Sequence, residues 1–161
     1  MTDAQYTAKV WLSRLNDYAD KLKAEKRTLE MLQTRLFRGV SNYDGYTGRA
    51  DPMTRRAAHE DALIDFSEQT ARVEKAQKEY LAEVAITREV IEAIPIDLQA
   101  LAIDRYINGY KWEQLEDLYH YGKSMLFRFN ADILDNVAEV LAVKKVKLEI
   151  TTINRKRTAA V

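Results

Sequence analysis

Two histidines, no cysteine and scattered serines give this 161-residue chain little with which to make or break covalent bonds. Without a thiol there is no cysteine nucleophile, no thiolate metal site and no disulfide. His59 sits in "AAHEDAL" and His120 in "LYHYGK", neither beside the companion ligands of a zinc site. Ser13, Ser41, Ser67 and Ser124 lie in no triad context. Asp97 and Asp104 are ordinary decoration of a helix. "DGYTGRADP" is rich in turn residues but lacks the Gly-Lys-Ser/Thr ending that gives a phosphate-cradling loop its chemistry. The expectation is a protein that is not an enzyme and carries neither cofactor nor metal.

What remains is the chemistry of binding. Lys plus Arg equal Asp plus Glu at 25 each, so the total charge points to no partner, but the distribution does. Met53–Gly122 holds eight basic and fourteen acidic residues, whereas Lys123–Val161 holds eight basic and four acidic. Only the C-terminal end suits a polyanion. Seven of the fifteen aromatics fall between Tyr106 and Phe129. They could stack on nucleobases, but their helical spacing fits the core of a small helical domain better. Tyr110, Tyr121 and Phe127 are the candidates for exposed contacts.

The elements that must position these groups are helices. Five glycines and two prolines are too few to punctuate a sheet protein, and Ala, Leu, Glu, Lys and Arg abound. Thr2 and Gln5 have capping-box spacing. Trp11, Leu15, Tyr18, Leu22, Leu29, Leu32 and Leu36 then recur in steps of four and three, with Glu25 as a charged interruption. Gly39 is a plausible stop. "GVSNYDGYTGRADP" reads as a loop, and Asp51-Pro52 as a helix start. The second seam runs through His59, Leu63, Phe66, Thr70, Val73, Gln77, Tyr80, Val84, Thr87, Ile91 and Ile94, until Pro95 ends it.

This pattern predicts an all-α fold. Helices over roughly Asp3–Phe37 and Pro52–Ile94 form a long, coiled-coil-like antiparallel hairpin, followed by a small helix-turn-helix module. Trp11, Leu15, Leu22, Leu29, Phe66, Val73 and Val84 are expected to be buried. Residues 1–94 would serve dimerisation or partner contact, 95–142 the module, and 143–161 a basic tail that frays from its helix. Seams this long predict a homodimer. No apolar run approaches the roughly 20 residues that span a bilayer. "MTDAQYTAKV" lacks a signal-peptide core, so a cytoplasmic location is expected.

In the C-terminal third, Asp97 could cap a helix through Leu98, Leu101 and Tyr106, closed by Asn108-Gly109. A short helix begins near Lys111 and a longer one near Gly122. With Leu126 as anchor, Leu115, Tyr119, Tyr121, Leu126 and Phe129 occupy the five apolar positions of a helix-turn-helix. "RYINGYKWEQLEDLYHYGKSMLFRFNADIL" resembles the region-4 helix-turn-helix of sigma-70-type factors. It is still more similar to bacteriophage late-transcription regulators of the ArpU and RinA type. The likeness runs through Arg105-Tyr106, Gly109, Lys111-Trp112-Glu113-Gln114-Leu115-Glu116, Tyr119-His120-Tyr121-Gly122 and Lys123-Ser124-Met125-Leu126-Phe127-Arg128. Four positions depart from it. Lys111 and Gly122 stand for capping serines, Glu116 for a small residue and His120 for the turn glycine.

The resemblance implies a phage or prophage transcription regulator in a bacterial host cell, binding double-stranded DNA and able to contact RNA polymerase or another host protein. Its reading face would be Lys123, Ser124, Phe127, Arg128 and Ala131. Phosphate neutralisation would come from Lys144, Lys145, Lys147, Arg155, Lys156 and Arg157. The alternative is a protein-binding module that inhibits or redirects a host machine, RNA polymerase or a defence nuclease, through Tyr110, Tyr121 and Phe127. A small-terminase-like packaging role is a third reading, but those proteins place the DNA module first and this chain places it last.

Overall fold

The computed structural model describes residues 1–41 and 52–158, with side chains for 1–37, 53 and 56–145. Of the glycine-rich segment expected to be a loop, residues 42–51 lie outside the described residues, but Gly39, Val40 and Ser41 continue α1 as helix past the expected stop at Gly39, since a single glycine lowers helix propensity without ending a helix. The elements are α1 (Asp3–Ser41), α2 (Pro52–Glu92), α3 (Ile96–Ala102), a π-helical turn (Ile103–Ile107), α4 (Trp112–Tyr119) and α5 (Lys123–Thr158). No strand occurs among the described residues. The chain divides into two compact units, Asp17–Ala82 on one hand and Met1–Asn16 with Glu83–Val161 on the other.

Within Asp17–Ala82, α1 and α2 run antiparallel. Lys21 Nζ lies 2.7 Å from Glu79 Oε2, and further along Gln69 Nε2 reaches the Glu25 carbonyl oxygen at 3.0 Å and its Oε2 at 2.6 Å. The ammonium of Lys21 holds the Glu79 carboxyl below its ordinary range. The seam on α1 is the expected one, since Tyr18, Leu22, Glu25, Leu29, Leu32 and Leu36 all turn inward. The charged interruption is thus met by a glutamine across the seam. On α2 the expected seam is corrected by one residue. His59, Leu63 and Gln77 are exposed, while Gln69, Val73 and Ala76 are buried. Phe66, Val73 and Tyr80 serve both readings because they stand seven apart. Between these shared residues the helix turns Gln69 and Ala76 toward α1, rather than Thr70 and Gln77.

Of the residues expected to be buried, Leu15 and Val73 are, whereas Trp11, Leu22, Leu29, Phe66 and Val84 are half-buried. Two helices alone cover one side of each seam residue and leave the flanks wet. Trp11 has a further reason, because the guanidinium of Arg14 sits 3.7 Å from its ring centroid.

In the other unit, Thr2 and Gln5 close the expected capping box, with backbone N–H to side-chain oxygen distances of 3.0 and 3.2 Å. Arg14 binds Glu83 through Nε and Nη2 at 2.9 and 2.7 Å. The core gathers Ala8 and Leu12 from α1, Val90, Ile91 and Ile94 from the end of α2, and Leu98, Leu101 and Ala102 from α3. Leu115, Leu126, Ile133, Leu134 and Val137 complete it. Pro95, not Asp97, is the N-cap of α3, and Asp97 falls in its first turn. Both Pro95 and Asp97 suit a helix start, the first by its fixed φ and the second by its charge. The tail expected to fray continues α5 as helix to Thr158.

Candidate nucleic-acid interface

In the π turn the backbone hydrogen bond spans one more residue than in an α-helix, from the Asn108 N–H to the Ile103 carbonyl at 2.9 Å, and three consecutive side chains in the turn serve as ties. Asp104 Oδ2 accepts the Tyr119 hydroxyl at 2.6 Å, and its Oδ1 accepts Asn108 Nδ2 at 2.8 Å. Arg105 Nη1 donates to the Tyr110 carbonyl at 2.7 Å, and its guanidinium stands 4.7 Å from the Trp112 ring centroid. Tyr106 donates its hydroxyl to Asn130 Oδ1 of α5 at 2.7 Å. Burial raises the Tyr119 pKa well above the ordinary phenol value, and the hydrogen bond to the Asp104 carboxylate raises it further. Burial raises that of Tyr106 as well. Gly109 takes φ of 73°, the conformation that closes the segment after Asn108.

Helix α4 begins without the usual side-chain cap. Lys111 has no acceptor to offer, but its backbone N–H donates to Gln114 Oε1 at 2.8 Å, so half of a capping box survives. The helix ends at His120, whose φ of 55° and ψ of 31° are left-handed. Its N–H reaches the Glu116 carbonyl at 2.9 Å. The turn therefore keeps the geometry usually given to glycine, on a residue that tolerates it better than most. Gly122 starts α5, its carbonyl accepting from the Met125 and Leu126 amides at 2.9 and 3.2 Å. Leu115 and Leu126 are fully buried where α4 and α5 meet, and Tyr119 and Phe129 are half-buried. Tyr121 departs from the expected set of apolar anchors. It is 44% exposed and leans on Phe129 with ring centroids 5.6 Å apart. Glu116, in place of a small residue, is half-buried.

The expected reading residues come together on the first turns of α5. Lys123, Ser124, Phe127 and Arg128 are exposed, and Ala131 is half-buried. Phe127 packs edge-on against Trp112 at 4.9 Å, so the exposed phenyl is braced by the same indole that Arg105 covers. Lys123 Nζ lies 3.8 Å from Glu113 Oε1 of α4, an exposed pair of small energetic worth. Asp132, Asp135 and Glu139 follow Arg128 on one helical face in steps of four, three and four, all exposed. Lys144 Nζ stands 3.4 Å from Glu89 Oε2 of α2, and Lys145 is exposed. The side chains of Lys147, Arg155, Lys156 and Arg157 lie outside the described residues. Tyr110 is 39% exposed, near enough to the figures for Tyr121 and Phe127 to keep all three as surface aromatics.

Sequence reasoning did not find Asp104 or Arg105 as ties, nor the Lys123–Glu113 pair. Asp104 reads as helix decoration until the π turn aims it at Tyr119. Among the described residues no group of three or more His, Asp or Glu could hold a metal, and no helix is long and apolar enough to cross a membrane. Neither a family model, nor a curated protein, nor a solved structure matches the chain.

Proposed function

We propose that this chain binds double-stranded DNA as a transcription regulator of the bacteriophage kind, with α4, the His120 turn and α5 acting as a sigma-region-4-like helix-turn-helix. The observation that carries the reading is the exposed ridge Ser124, Phe127 and Arg128 at the start of a helix whose opposite side is locked by Leu126 and by Tyr106 on Asn130. A reading helix needs this combination, because base contacts discriminate only when the side chains that make them are held in register. Arg128 would make the base contact and Ser124 a phosphate or base contact, with Phe127 against the groove floor. Lys145 and the cations of 147–157 would neutralise phosphates.

The charge pattern limits affinity. Glu113 competes for Lys123, and Asp132, Asp135 and Glu139 oppose phosphate beyond Arg128. The binding is therefore weak for a single module, with a salt dependence that is shallow because few phosphates are neutralised. The test is selection of the purified chain on random double-stranded DNA, followed by salt-dependent titration of the enriched sequence. Arg128→Ala should cost about 1–3 kcal/mol on the selected site and little on scrambled DNA. No enrichment, or an Arg128→Ala variant that binds the selected site as the parent does, would overturn the reading.

A second reading has its own support. Tyr110, Tyr121 and Phe127 are exposed beside carboxylates, an arrangement suited to a protein surface with apolar and basic groups. In that case the partner is a host machine such as RNA polymerase or a defence nuclease. Phe127→Ala would abolish its capture with little salt dependence, and DNA selection would return nothing.

A further inference from the structure

Helix α5 presents a phenylalanine that is both exposed and held in place. Phe127 is 45% exposed, yet its ring stands edge-on to Trp112 at 4.9 Å. Trp112 is covered by the Arg105 guanidinium at 4.7 Å, and Arg105 is tied to the Tyr110 carbonyl at 2.7 Å. An unbraced surface phenylalanine gains by folding its ring onto its own surface. This one is kept with part of the ring in water.

At about 100° per residue, Ser124 and Ala131 form the middle line of the ridge, with Phe127 on one side of it and Arg128 on the other. The middle line is small and the flanks are large, so the two flanking side chains can touch a duplex at two separate points. Asp132, Asp135 and Glu139 fall on the Arg128 side. On the Phe127 side, Lys123 lies one turn earlier and pairs with Glu113 of α4 at 3.8 Å. Among the described residues no ion pair engages Arg128.

A phenyl edge neither donates nor accepts a hydrogen bond. Pressed on the edge of adenine, guanine or cytosine in a major groove, it would strip water from amino, carbonyl or ring-nitrogen groups and give nothing back. Thymine alone puts an apolar group, its 5-methyl, on the groove wall. Arg128 has the opposite chemistry, a fork of donors that fits the N7 and O6 acceptors of guanine.

We propose that Phe127 reads the 5-methyl group of a thymine, across the ridge from a guanine read by Arg128. The proposal rests on the DNA-binding reading above and narrows it to one chemical group. With tips about 6 Å from the helix axis and 100° apart, the two side chains stand roughly 9 Å from each other, about two to three base-pair steps of B-DNA. The contact is to the methyl rather than to the thymine hydrogen-bonding groups. A 5-methylcytosine, which carries its methyl on the same ring position, should therefore be accepted where an unmodified cytosine is not.

The experiment uses the full chain and the duplex it enriches from random double-stranded DNA, remade with single changes and titrated at one salt concentration. One thymine near the guanine should be sensitive to replacement by deoxyuridine, which removes the methyl alone. Binding should weaken about fourfold, the worth of one buried carbon. Cytosine at that position should weaken binding at least as much, and 5-methylcytosine should recover the share that belongs to the methyl. Phe127→Ala should bind the thymine and uracil duplexes alike while keeping its preference for guanine, and Arg128→Ala should do the reverse. Circular dichroism checks each variant, and Phe127→Gln, which keeps the length but not the apolar edge, stands in if the alanine variant loses helix. An enriched duplex in which no uracil replacement weakens binding, or a methyl effect that survives loss of the Phe127 ring, would overturn the proposal and leave DNA binding standing. Failure to enrich any duplex would overturn both.

Discussion

His120→Gly should stabilise the protein, because glycine is the residue that adopts the left-handed conformation of a helix end without a Cβ penalty. His120 holds φ 55° and ψ 31°. An L-residue spends about 1–2 kcal/mol there, because its Cβ crowds the following carbonyl. Glycine escapes that cost but loses more backbone freedom on folding, which returns about 0.5–1 kcal/mol. The net expectation is a gain of about 0.5–1 kcal/mol. His120→Val, branched at Cβ, should lose about 1–2 kcal/mol in the same position. Urea unfolding followed by tryptophan fluorescence reads the right part of the molecule, since Trp11 and Trp112 both lie in the unit made of Met1–Asn16 and Glu83–Val161. With a slope of about 2 kcal/mol per molar urea, the glycine variant should shift the midpoint up by roughly 0.3–0.5 M at unchanged slope. A midpoint that stays or falls for glycine, or a valine variant as stable as the parent, would refute the assignment of turn strain to residue 120.

Two more outcomes follow from the polar ties. Gln69→Leu alone should destabilise the hairpin arm by about 1–3 kcal/mol, because it strands the Glu25 carboxylate in the seam; Glu25→Leu with Gln69→Leu should recover most of that loss. A double-mutant cycle in urea measures this, and a coupling below about 0.5 kcal/mol would mean that the pair is not linked. The raised pKa values of Tyr119 and Tyr106 mean that the folded state resists losing their protons, so their contribution is complete below the unfolded phenol value of about 10 and is lost as pH climbs above it. Tyr119→Phe should therefore flatten the alkaline fall in stability in thermal melts; an unchanged slope would count against the half-buried Tyr119–Asp104 bond.

Helix type and order were legible because both rest on local signals. Thr2 with Gln5, and Pro52 and Pro95, act through the backbone within one turn, and each marks an observed helix boundary. The seam of α1 was legible because its leucines recur in steps of seven and of four and three on one face, although Met31 and Phe37 lie off that face and are exposed. That of α2 was not, because Phe66, Val73 and Tyr80 are shared by two seven-residue patterns. Choosing between Gln69–Ala76 and Thr70–Gln77 depends on which side α1 approaches, and neither pattern is richer in apolar residues. Alanine and glutamine are weak signals of burial, yet Gln69 is buried because Glu25 across the seam gives it a partner.

At the candidate interface the same limit has an electrostatic form. Sequence counting credits Lys123 and Lys144 to the DNA side, but Lys123 stands beside Glu113 and Lys144 beside Glu89. Each pair joins residues on different helices, so no spacing rule within one helix could show it. Both pairs are exposed, and such pairs are worth little. Phosphate can therefore compete for these lysines at small cost, and neither pair by itself removes the ridge on α5 from use. The carboxylates at Asp132, Asp135 and Glu139 are different, because they share a helical face with Arg128 and sit on the same rigid helix. On the DNA-binding reading they would confine the duplex to the first turns of α5. The contact would then be short, and specificity would rest on Arg128 and the braced Phe127 rather than on the number of cations. A contact that short would gain most from a second binding module held beside the first.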